Sequence, residues 1–138
     1  MPTPVATTYV PVSHQEAYRP SPLQEASDSL KDFISESDLP LETRGMPTAM
    51  EVLLLEGPRI VHDPNPQERI NEGLRGLLGS LHIDAFVREY AQNGKGEVSQ
   101  RRMQNLRKAF DLLSRVSEAE TVASEYLERL NGSERNHP

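Results

Sequence analysis

The chain has 138 residues, 15 Lys+Arg against 21 Asp+Glu for a net charge of −6, and neither Cys nor Trp. Apolar residues make up 36% and aromatics 5%, below the roughly 45–50% apolar content of an average globular chain, so the core is small and the length fits one domain at most. Disulfide frameworks, thiol nucleophiles and thiolate zinc sites are excluded by the missing Cys, and a net acidic chain is a poor whole-molecule binder of nucleic acid.

No apolar run approaches the length of a membrane span, and the N-terminus lacks a basic stretch followed by an apolar one. The expectation is a cytoplasmic protein with no transmembrane segment, export or incorporation into a virion being the alternatives.

Proline and charge both divide the chain near residue 66. Ten of the eleven prolines lie at or before Pro66, and residues 1–66 hold ten acids against four bases, while residues 67–138 hold eleven of each. Prolines, few apolar residues and unbalanced negative charge describe a segment that cannot offset its ordering entropy by burial. Residues 1–47 are therefore expected to form a disordered acidic arm. Within it Leu23, Ala26, Leu30, Phe33 and Ile34 share one face of a short helix over 23–35. Residues 48–64 read as a short apolar element and a linker. Thr48 with Glu51 as a capping box and Gly57-Pro58 as a stop favour a helix over 50–55. Segments 52–55 and 60–61 also fit two short buried strands.

Residues 65–132 carry four segments with apolar residues at helical spacing. Ile70, Leu74, Leu77, Leu78 and Leu81 follow Asn65, Pro66 and Glu68, which supply an N-cap, a first-turn proline and a capping-box acid. Ile83, Phe86, Val87 and Tyr90 continue out of phase, so a bend is expected over 82–84, and the segment ends at 93–96. A third helix opens near Ser99 and places Met103, Leu106, Phe110 and Leu113 on a seam. The fourth opens with a capping box at Ser117 and Glu120, continues through Ala119, Val122, Ala123, Tyr126, Leu127 and Leu130, and stops at Asn131-Gly132. The expected fold is all-α: a bundle of about four short helices over 66–131, behind a flexible proline-rich acidic arm and ahead of a tail at 133–138.

Candidate chemistry is sparse. Residues 91–102 have the helix, glycine loop and helix of a calcium site, but Lys95 and Arg102 stand where calcium needs oxygen ligands. His14, His62, His82 and His137 are scattered, and Ser80, His82 and Asp84 spread over different helix faces, so no catalytic, cofactor-binding or metal residue is assigned. The one basic patch lies on the third helix, where Arg101, Lys108 and Arg115 recur every seven residues. Such a stripe meets phosphates, or else is a solvated face or a partner for the acidic arm. Gly73, Gly76 and Gly79 form a ridge on the first bundle helix, suited to close approach of a partner backbone.

The reading that follows is a non-enzymatic protein–protein interaction or assembly component, acting as an adaptor, scaffold or minor structural protein. Leu30, Phe33, Ile34, Leu53, Leu54 and Leu55 are its partner-binding residues, the surface they meet being another protein, a second copy or the exposed back of the chain's own bundle, with Arg101, Lys108 and Arg115 a candidate basic rim. Two other readings stand beside it. One is an exported bacterial effector or secretion-system component, from a Thr/Ser/Pro-bearing start with no acid before Glu16 that looks like the uncleaved signal of type III secretion. The other is a nucleic-acid-associated regulator using the basic helix.

Overall fold

Local capping chemistry sets some helix ends in this protein, and tertiary packing sets the others. The computed structural model describes residues 20–60, 62–93 and 96–135, and within them the chain is helical with no strand. There are six α-helices: α1 Pro22–Ser35, α2 Met46–Ile60, α3 Pro66–Gly79, α4 Ile83–Asn93, α5 Glu97–Leu113 and α6 Glu120–Arg135. Two 3-10 turns, Leu41–Gly45 and Ser117–Ala119, lead into α2 and α6.

The all-α class holds, and the expected count of about four helices becomes six. The difference is α1 and α2, which belong to the packed unit. Ala26, Leu30 and Phe33 are fully buried, with Leu23 and Ile34 almost so. Averaged composition hid this, because one amphipathic helix with a Ser21 N-cap and a first-turn Pro22 sits inside an otherwise acidic, proline-bearing stretch. Residues 20–47 are therefore not a disordered arm, and the rest of that expectation falls on residues 1–19, which lie outside the described residues.

Helix α1 runs antiparallel to α5. At one end Ser37, just past α1, accepts a hydrogen bond from Arg102 at 3.0 Å, and Glu36 pairs with Arg101 at 3.0 Å. At the other end Ser21 and Leu23 meet Arg115 and Val116. Small buried residues, Ala26 and Ser29 on α1 and Ala109 on α5, let the two backbones lie close. The rest of the core is built by hairpins. Helices α2 and α3 pair antiparallel, with Ile70 against Gly57 and Leu53 against Gly73. Helices α5 and α6 are held by Phe110 stacked on Tyr126 at 4.8 Å between centroids.

At α3 the expected cap forms: Asn65 accepts from the Glu68 amide at 3.4 Å and donates to the Glu68 carboxylate at 3.2 Å. The bend between α3 and α4 is also present, where His82 takes a left-handed φ of 53° between the buried Leu81 and Ile83. Elsewhere the boundaries differ. The ambiguous 50–55 run is helical, and α2 begins at Met46 and passes Pro58 to reach Ile60. Proline disfavours the helical conformation of the residue before it by pressing on that residue's Cβ, and here that residue is Gly57, which has none. Helix α5 starts at Glu97 with Gly96 as its cap, and α6 runs through Gly132 to Arg135 rather than stopping there. A single helical glycine costs only about 1 kcal/mol against Ala, and Glu134 and Arg135 beyond it are good helix formers.

Two stability outcomes follow. Phe33→Ala should cost about 3–5 kcal/mol in urea or thermal unfolding, as much as Phe110→Ala, since both rings are fully buried. An unchanged melting temperature for Phe33→Ala would return that residue to a flexible arm. Gly76, with nothing within 4 Å of an added Cβ, should gain about 0.5–1 kcal/mol as Ala. Gly73→Ala should gain less, because its new methyl meets Leu53 at 3.2 Å.

Candidate interaction surface

Helix α2 is apolar on two opposite faces. Met46, Met50, Leu54 and Gly57 are buried. At about 100° per residue these cluster on one side, and Thr48, Val52, Leu55 and Arg59 cluster roughly 180° away. That second side faces outward, with Val52 53% and Leu55 58% exposed. Ile60, at the helix end, is 65% exposed. Leu55 also lines a groove with Leu23, Leu54 and Val116, and Glu51, Arg115 and Glu118 line it as well. Among these, Glu51 accepts a hydrogen bond from the buried Ser27 hydroxyl, which ties α2 to α1.

The sequence-assigned partner residues are therefore divided by the fold. Leu30, Phe33 and Ile34 are committed to the chain's own core, as is Leu54 at 3% exposure. Leu53 is half-buried against Gly73. Of the six, Leu55 alone stays open. The burial of the other residues is intramolecular because α1 covers the side of α5 that a four-helix bundle would leave bare. Val52, Ile60, Leu23 and Val116 were not assigned to the surface from sequence. A helical wheel over 46–60 separates Val52 from Leu54, a signal obscured by treating 52–55 as one apolar run.

The basic stripe is largely neutralised by the chain's own acids. Arg101 pairs with Glu36 at 3.0 Å and approaches Glu97 at 4.0 Å, and Arg115 pairs with Asp111 at 3.1 Å. Lys108 is exposed. Arg102, beside the stripe, is turned inward, with its guanidinium 4.2 Å from the Phe86 ring centre and 5.1 Å from that of Phe33. Burial pulls the Arg102 pKa down from its ordinary value, and Glu89 and Glu36 oppose that. Of the glycine ridge, Gly73 is already occupied by Leu53, while Gly76 and Gly79 face open space.

On the opposite flank Arg75 of α3 grips Glu125 of α6 with two hydrogen bonds of 3.1 and 2.7 Å. The bond from Arg75 holds the Glu125 carboxyl below its ordinary pKa, opposed by slight burial. Among the described residues no group of three or more His, Asp or Glu side chains could hold a metal ion. Nor is any described helix long and apolar enough to cross a membrane.

A carboxyl whose folded pKa is depressed stabilises the fold above its unfolded pKa, near 4.3, and loses that contribution as pH falls through the folded value. Glu125→Gln should therefore lower the urea midpoint at pH ~7 by a small amount, suited to a part-exposed pair, and the gap to the parent should close below pH ~4. A gap that persists at low pH would assign the effect to packing. Compared with known proteins, the chain matches no family model, and neither a curated protein nor a solved structure is similar enough to count as a match.

Proposed function

We propose that this protein is a non-enzymatic interaction or assembly component that binds a protein partner, a different protein or a second copy of itself, through the outward face of α2 and the groove beside it. The observation that carries this reading is the second apolar face of α2. Val52 and Leu55, neighbours on the outward side of α2, are about half exposed, and Leu55 also lines a groove with Leu23, Leu54 and Val116. Apolar side chains exposed singly are ordinary on any surface; neighbouring ones beside an apolar groove mark an interaction site. The groove's lining combines these apolar side chains with the charged Glu51, Arg115 and Glu118, a mixture that protein interfaces also carry.

The regulator reading is less well supported, because two of its three stripe cations, Arg101 and Arg115, already face carboxylates. A helix face neutralised in this way releases few counterions from a nucleic acid, and affinity drawn from phosphates follows that release.

The test is co-purification from the native source with the parent chain and Leu55→Glu in parallel. Leu55→Glu is expected to keep the helical circular dichroism and the melting temperature while losing the retained partner. Equal recovery by both chains would remove α2 as the binding face. Salt-dependent retention on heparin that disappears in Lys108→Gln would instead favour the nucleic-acid reading.

A further inference from the structure

Resting on the interaction reading above, we propose that the occupant of the α2 face is a second copy of this chain, bound by antiparallel pairing of the two α2 helices. Thr48, Val52, Leu55 and Arg59 are spaced by four, three and four residues, which is the spacing of a helix–helix seam. All four are exposed, so the seam is complete on the surface of the folded chain.

A two-fold interface must be complementary to itself, and this stripe is. With the axis passing between Val52 and Leu55, Val52 of one copy lies opposite Leu55 of the other, twice, making two apolar layers at the centre. Thr48 then lies opposite Arg59 at both ends. The guanidinium is purely a donor, and a threonine hydroxyl can accept from it. On the flanks Ala49 lies opposite Glu56 and Glu51 opposite Pro58, so no like charges meet. A parallel arrangement would set Arg59 against Arg59 and align the helix dipoles unfavourably. Glu56 lies 3.9 Å from Arg59 within each copy, and it limits the net charge carried into the contact.

Helix α2 has 15 residues, about 22 Å of length. A contact of that extent falls below the ~1,600 Å² of a standard interface. The pairing is therefore a weak monomer–dimer equilibrium, populated when the chain is concentrated.

Sedimentation equilibrium of the full chain is expected to show mass rising toward the dimer with concentration, and Leu55→Glu to stay monomeric with unchanged circular dichroism. Register is read separately. The chain has no cysteine, so Val52→Cys and Leu55→Cys variants carry one thiol each, and opposed seam positions lie within disulfide reach. Mixed under mild oxidation, the two variants should form the heterodisulfide several-fold faster than either homodisulfide. A parent that stays monomeric at millimolar concentration, a dimer indifferent to Leu55→Glu, or homodisulfides in excess would each overturn the proposal. A monomeric parent whose native-source partner is still lost on Leu55→Glu overturns the self-pairing and keeps the interaction reading, whereas a monomeric parent with no such loss overturns both.

Discussion

Phe33 packs edge-on against Phe86 at 5.6 Å between centroids, and the Arg102 guanidinium lies over both rings. Three helices meet in this contact: α1, α4 and α5. It fixes the C-terminal end of α1, while the Arg102 bond to Ser37 and the Arg101 pair with Glu36 anchor the turn that follows. A cation over an aromatic face is stabilising by about 0.5–2 kcal/mol, more when shielded from water. Arg102 is half-buried, so it seals the rings from solvent with its stem while its charge rests on them. Were α1 displaced, Phe86 and the apolar side of α5 would face water, and α2 would lose the tie that Glu51 makes to Ser27.

The helical class and the second half of the chain were legible because apolar residues recur there at helical spacing, although the capping box expected at Ser117 does not form and α6 starts at Glu120 after a 3-10 turn. Asn65, Pro66 and Glu68 form the cap their order implies, and the phase change from Leu81 to Ile83 does mark a bend. The first half was misjudged for a physical reason. Disorder is inferred from an average over many residues, but folding is decided by whether a particular face finds a surface. Leu23, Ala26, Leu30, Phe33 and Ile34 were recognised as one face. Nothing in their own segment revealed that α5, more than sixty residues on, supplies the surface they cover. Charge held a partial hint: the acids after Phe33 and the bases of α5 are complementary, and Glu36 with Arg101 realises that complementarity within one chain.

Helix α2 shows the converse. Its run of apolar residues was assigned as a unit to partner binding, yet successive residues of a helix point in different directions, and the fold divides the run three ways. Leu54 enters the core, Leu53 closes on Gly73, and Val52 with Leu55 faces out. Gly57 and Gly73 make this division possible, because the side chains of Ile70 and Leu53 occupy the space their missing Cβ atoms leave. The close approach of α2 to α3 turns the stripe bearing Val52 away from the core. The helix is thereby a structural part of the bundle on one side and a presented surface on the other.

The antiparallel pairing of α1 with α5 also bears on how the chain is made. Helix α1 leaves the ribosome before α5, and the surface that buries Phe33 is completed only when α5 has followed it, roughly 80 residues later; at about 5–20 residues per second this leaves an interval on the order of 4–16 s. Through that interval Leu30, Phe33 and Ile34 have no native shelter. The acids interleaved with them, Asp28, Asp32 and Glu36, keep the waiting helix charged and oppose its association with neighbouring nascent chains. One acidic segment thus guards an apolar face during synthesis, and at its end Glu36 fastens that face to Arg101 once the partner helix arrives.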